Sequence, residues 1–254
     1  MASVALSITV QEVSIPHESL RLRGRVYRPM ADGAYPAAAI CHGYIGDTKN
    51  MDIAEDLAMN GVVALVFYYQ GAWGSGGTFS LAGLAPSARD AVDWLRQQHY
   101  VDPGKVGLVG HSLGAVPVAQ RLSADDRLRA GVFIAPAADL TPLATGDSAE
   151  IFILNYIVQA EGKLVGLTEE QLRADLGALL REQNPVDIIR SVRAPVMIVV
   201  GSGDEVIPPD SCRRLYDAAN EPKKFVLMKG ADHDFTAHRA PLTAEILGWL
   251  REYL

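Results

Sequence analysis

Cysteine is scarce: among 254 residues only Cys41 and Cys212 occur. Two thiols cannot build a disulfide framework, and without a C-x-x-C pair or a Cys/His spacing they form no zinc site, so no metal is expected. Long apolar runs are also missing. The longest, Val62 to Tyr69, falls far short of the ~20 residues that span a bilayer, so no membrane partner is expected. The N-terminus lacks the basic region of a signal peptide and alternates like a strand instead, which points to the cytoplasm. Positive charge is in deficit, with 23 Lys and Arg against 30 Asp and Glu, a net charge of −7. That balance excludes the footprint of a nucleic-acid or anionic-membrane binder. The densest basic pairs, Arg213-Arg214 and Lys223-Lys224, read as solvated surface.

What is present suits a packed domain. Hydrophobic residues make up 49% and charged residues 21% of the chain, enough apolar surface to offset the ordering entropy of folding. Leu20 to Tyr27 alternates apolar and arginine positions, as an antiparallel edge with one wet face does. Short runs on consecutive apolar positions follow at Ala37–Cys41, Val62–Phe67, Val106–Val109, Gly131–Ala135, Pro195–Val200 and Lys224–Met228. Such runs mark strands buried on both faces, and helical segments separate them, with Thr48 expected to cap the first. The pattern predicts an α/β fold with a mostly parallel central sheet covered by helices on both faces. It breaks over 139–190, where two helices are expected, at about 148–159 and 168–181. Thr168 and Gln171 have the spacing of a capping box. The expected organisation is a core domain of residues 1–138 and 191–254 carrying a helical cap insertion at 139–190.

The sharpest motif is Gly110-His111-Ser112-Leu113-Gly114. It matches G-x-S-x-G directly after a buried strand and directly before a helix. A serine on so tight a turn needs neighbours without side chains, and the turn lifts its hydroxyl above the sheet. It also leaves the Leu113 N–H at a helix N-terminus, where it can meet developing negative charge. A nucleophilic serine needs a base, and the base an orienting acid. His233 and Asp204 each lie in a polar loop after a late strand, at the end of the sheet where α/β proteins bind ligands. The chain order Ser112, Asp204, His233 is the hydrolase order. His238 is the alternative base, and Glu205 the alternative acid. Asp232 and Asp234 flank the base and point away from it as sequence neighbours. His111 is expected to pack locally, His42 to organise its own loop, and His17 and His99 to lie on the surface. The loop Gly74–Gly77 lacks the Lys-Ser/Thr of a phosphate-binding loop and the G-x-G-x-x-G spacing. Pro117 should distort the helix after the serine unless it falls in the first turns.

Together, His42-Gly43-Tyr44, Gly74–Gly77, Gly110–Gly114, Gly203-Asp204 with Pro208, and Asp232-His233 give a chain that resembles an α/β-hydrolase. The likeness is to the serine-esterase and serine-peptidase-like branch with a short helical cap, and it covers nearly the whole sequence. The resemblance implies catalytic Ser112, Asp204 and His233, and an oxyanion hole made by the backbone N–H groups of Tyr44 and Leu113. It implies no cofactor and a small-molecule ester substrate. Tyr44, with Ile151, Phe152 and Tyr156 of the apolar segment 151–158, is expected to contact that substrate. A peptidase or amidase on the same three residues is the alternative, and a non-catalytic receptor or scaffold a further one. A monomer and a homodimer both suit this composition. The chain departs from many relatives at Gln70, where they carry arginine, a position read as structural. Ser112 separates it from dienelactone-hydrolase-like relatives, which use cysteine.

Overall fold

The apolar runs assemble into one eight-stranded sheet in a computed structural model that describes residues 6–46, 50–145 and 147–254. The strands are β1 (Ile8–His17), β2 (Leu20–Pro29), β3 (Tyr35–Cys41), β4 (Val63–Phe67), β5 (Val101–His111), β6 (Gly131–Ile134), β7 (Val196–Gly201) and β8 (Lys223–Met228). Their spatial order is β1-β2-β4-β3-β5-β6-β7-β8. The alternating β2 pairs antiparallel with both β1 and β4, and the continuous apolar strands run parallel to one another. The inner parallel strands β3, β4, β6 and β7 carry no charged residue because both faces are covered. In β3, Ala37, Ala39 and Cys41 belong to one core layer and Ala38 and Ile40 to the other; β4 divides in the same way.

Helices α1 (Met51–Met59), α2 (Leu84–Arg96) and α3 (Ala115–Ala124) follow β3, β4 and β5. Thr48, the expected cap of α1, lies outside the described residues, and Asn50 occupies the cap position of the helix. Pro117 is the third residue of α3, where the proline's missing N–H leaves no intrahelical bond unmade. The stretch after β6 is helical: α4 (Thr141–Ala144), α5 (Asp147–Ala160), α6 (Glu169–Glu182) and α7 (Pro185–Ile188). Helices α8 (Pro209–Ala218) and α9 (Arg239–Tyr253) follow β7 and β8. On α9, Leu242, Ile246, Trp249 and Leu250 are buried at helical spacing against the second core layer.

The helical stretch is fastened at both ends. At its neck, the Asn184 side chain accepts from the Leu140 N–H at 3.0 Å and donates to Asp139 at 3.0 Å. Further out, Val165 donates its N–H to Gly71 O at 2.8 Å and accepts from the Phe79 N–H at 2.9 Å, which zips it to the glycine-rich loop after β4. Asp175 on α6 is buried and takes the Leu81 N–H at 2.7 Å. The Thr168 hydroxyl caps α6 through the Gln171 N–H at 3.2 Å, but the Gln171 side chain turns to Asp175 at 2.7 Å. Only half of the expected capping box therefore forms.

His17 is a correction. It is buried, not on the surface: its Nδ1 lies 2.6 Å from Asp90 and its Nε2 3.0 Å from the Gln70 carbonyl oxygen. The Gln70 amide nitrogen in turn donates to Thr78 O at 3.1 Å. Gln70 thus joins the end of β1 to the loop that holds the helical stretch. The two cysteines are buried, and desolvation pushes both thiols up to about 12, so neither offers a reactive thiolate.

Replacing Asp175 with alanine leaves the Leu81 N–H buried without its acceptor. Asp175→Ala is expected to lower stability by about 1–3 kcal/mol in urea unfolding. A loss under about 0.5 kcal/mol would show that the carboxylate contributes little to holding the helical stretch down.

Candidate active site

Four candidate residues leave the sheet at the carboxyl ends of strands: Tyr44 after β3, Ser112 after β5, Asp204 after β7 and His233 after β8. Strands β3 and β5 are neighbours, and the chain departs from β3 to β4 on one side and from β5 to β6 on the other. Loops diverge at such a switch point and leave a crevice between them. Tyr44 and Ser112 flank that crevice.

The turn at Ser112 depends on its glycines. Ser112 has a φ of 53°, in the left-handed region that non-glycine residues rarely enter. The chain then makes a 3₁₀ turn over Ser112–Gly114 before α3 begins. A Cβ on Gly110 would lie 2.4 Å from Gly114 O, and one on Gly114 would lie 2.1 Å from Cys41 O. Both contacts are with backbone, which cannot swing aside, so glycine is required for the turn to close against the end of β3. The Leu113 N–H lies in the first turn, where no preceding helical carbonyl is available to it.

Asp204 and His233 meet. The Asp204 side chain is buried, and its Oδ2 accepts from His233 Nδ1 at 2.8 Å. Its Oδ1 accepts the N–H groups of Val206 and Ile207, each at 2.8 Å. These two bonds fix the carboxylate in the low-dielectric interior, and the carboxylate fixes the ring, leaving His233 Nε2 as the free edge. Ser112 and His233 line one cleft of about 40 Å³, together with Gly43, Tyr44, His111 and Asp234. Among the described residues no hydrogen bond joins Ser112 to His233; such bonds are often long in unliganded sites and tighten in the reacting complex.

The flanking residues divide. His42 Nδ1 donates to Gly43 O at 2.7 Å, and its ring lies 4.2 Å from that of Tyr69, so it shapes its own loop as expected. Asp232 turns back to the Thr236 N–H at 2.7 Å. Glu205 is exposed, and His238 stands at the start of α9 outside the cleft lining. The Tyr44 ring stacks on Tyr156 of α5, with centroids 3.6 Å apart and planes 15° from parallel, and Phe152 lies 4.0 Å from Tyr156. The Tyr44 hydroxyl donates to Tyr156 O. Burial raises both phenols, so both rings stay neutral. Ile151 does not join them. It is 65% exposed and forms an outward row with Leu154 and Val158. A helix apolar nearly all round has more apolar surface than one contact can cover.

Sequence reasoning missed His111. It is buried, and its Nε2 donates to the backbone O of His233 at 3.1 Å. This bond ties the residue before Ser112 to the loop of His233, 122 positions away. Burial, then the charge of His233, pushes the His111 imidazole down to about 4 from an ordinary 6.5. Between those values the unfolded chain binds more protons at this residue than the folded one. The resulting stabilisation is therefore complete above about pH 6.5 and is lost as the pH falls through the window. His111→Gln keeps a donor for the carbonyl and removes the titration. The fall in unfolding free energy from about pH 7 to about pH 4.5 is expected to be shallower in this variant. Urea titrations at both pH values measure it, and an unchanged slope would assign the acid lability elsewhere.

The comparisons with known proteins agree with this architecture. Residues 86–254 match the prolyl oligopeptidase family, and residues 18–149 match the X-Pro dipeptidyl-peptidase (S15) family. An uncharacterised protein of Mycobacterium tuberculosis is 32% identical over 218 residues, covering 85% of this chain and 69% of its own length. Among solved structures, Est1E from Butyrivibrio proteoclasticus with bound ferulic acid superposes with a TM-score of 0.76 at 20% identity, over 95% of this chain and 98% of that one. An esterase of Pyrococcus furiosus gives a TM-score of 0.74 at 16% identity, over 97% of this chain and 91% of that one. At those identities the structural likeness shows the fold, and the family match shows the lineage: the chain belongs to the prolyl oligopeptidase family, a serine-hydrolase branch of the α/β-hydrolase superfamily.

Proposed function

We propose that the protein is a carboxylic-ester hydrolase working through Ser112, His233 and Asp204. The observation that carries this reading is the buried Asp204–His233 bond, which leaves the free edge of the imidazole for the cleft that Ser112 shares. Ser112 Oγ attacks the ester carbonyl carbon while His233 Nε2 takes its proton, and Asp204 holds the imidazole tautomer and steadies the imidazolium. The carbonyl oxygen gains negative charge, which the N–H groups of Tyr44 and Leu113 stabilise. As the tetrahedral intermediate collapses, the ester C–O bond breaks and His233 returns the proton to the departing alcohol. Water then attacks the acyl-enzyme, giving its proton to His233, and the acid leaves as Ser112 recovers its hydrogen. The sequence uses residues 1–138 and 191–254 as the hydrolase body and 139–190 as a cap, with Tyr156 and Phe152 facing the site.

A second reading has its own support. Both matched families are peptidase families, and the same three residues would cleave an amide by the same steps. Acyl esters assayed beside aminoacyl amides separate the two readings by relative kcat/KM.

Ser112→Ala is expected to abolish p-nitrophenyl ester hydrolysis and labelling by a fluorophosphonate; an active variant would refute the nucleophile. Activity of the unmodified protein is expected to fall on acidification, because a protonated His233 cannot accept the serine proton. A rate that stays flat from about pH 8 to about pH 5 would contradict a histidine base.

A further inference from the structure

The cleft beside Ser112 measures about 40 Å³, room for no more than a few waters and none for an acyl group. Tyr44 supplies one of its walls. The Tyr44 ring, next to the serine, lies against the Tyr156 ring with centroids 3.6 Å apart. The Tyr44 hydroxyl also holds the Tyr156 carbonyl. The leaving group must sit at His233 to receive its proton, so the acyl group is directed to the Tyr44 wall.

We propose that the Tyr44–Tyr156 stack is a specificity-determining gate that selects flat aromatic acyl groups, which enter as a third ring between the two. This rests on the esterase reading of Ser112. The rings are 15° from parallel, so parting them leaves a slot with parallel aromatic walls. Facing carbon surfaces meet at about 3.5–4 Å. One flat ring therefore fits once Tyr156 has withdrawn by roughly that distance. Helix α5 carries Ile151, Leu154 and Val158 on its outward side, 65%, 56% and 71% exposed, while Ile153 anchors its inner side in the core, so the withdrawal is made by the Tyr156 side chain. Releasing the stack and the hydroxyl bond costs the same for every ester. An aromatic acyl group replaces one ring–ring contact with two, whereas an alkyl chain offers the two faces dispersion contact without ring stacking. Phe79, edge-on to Tyr44 at 6.5 Å, and Phe152, 4.0 Å from Tyr156, extend the aromatic lining on both sides.

The test keeps the leaving group constant. kcat/KM is measured for p-nitrophenyl benzoate and p-nitrophenyl butyrate in the unmodified protein and in Tyr156→Ala, Tyr156→Leu and Tyr156→Phe. The alanine and leucine variants remove one face of the slot, and the benzoate-to-butyrate ratio is expected to drop about three- to tenfold, the fold-change of one lost aromatic contact. The phenylalanine variant keeps the ring and is expected to hold the ratio within about twofold. If the ratio is unchanged in Tyr156→Ala and Tyr156→Leu while a fluorophosphonate still labels Ser112, the gate is overturned and the esterase reading stands. If the unmodified protein is not labelled, the reading beneath the gate fails with it.

Discussion

One backbone contact governs the rest of the site: Gly114 lies so close to the end of β3 that a single added carbon would sit 2.1 Å from Cys41 O. The contact presses the turn after β5 onto the turn after β3. It thereby puts Ser112 beside Gly43 and Tyr44, at the place where the sheet changes direction. A left-handed φ at Ser112 is a local cost, and the surrounding parallel strands, buried on both faces, hold the backbone there. The position of the serine is thus set by main-chain packing, which is less deformable than side-chain contact.

Fixing His233 relies on a different kind of interaction. Asp204 is held by two N–H groups of its own loop, and it holds His233. His111 then grips the carbonyl of His233 from the other direction. The histidine is therefore steadied both at its ring and at its backbone. Its two supports come from different strands, β7 and β5, which are separated in the sheet only by β6.

The order of elements was legible in the sequence because strands buried on both faces must be apolar at every position, and this signal survives without knowledge of their partners. Ser112, Asp204 and His233 were legible for a related reason: each sits in a polar or glycine-rich turn directly after such a strand. Other features depended on contacts distant in the chain. His17 reads as an ordinary turn residue until Asp90 and Gln70, 73 and 53 positions away, close around it. His111 looked local for the same reason. Ile151 and Phe152 are adjacent and equally apolar, so composition alone could not tell which faced the site. Helix α5 is nearly uniform in composition around its circumference, and its packing, with Ile153 in the core and Tyr156 against Tyr44, breaks that symmetry.

The attachment of the helical stretch to the glycine-rich loop bears on the order in which the molecule is built. The loop at 71–79 and Leu81 leave the ribosome before residues 163–175, which bind them. The turn at Ser112 also precedes them. Synthesis proceeds from the N-terminus, and partners already present can be joined as they emerge. The helical stretch is thus complete in the chain before β7 and β8 add the loops of Asp204 and His233.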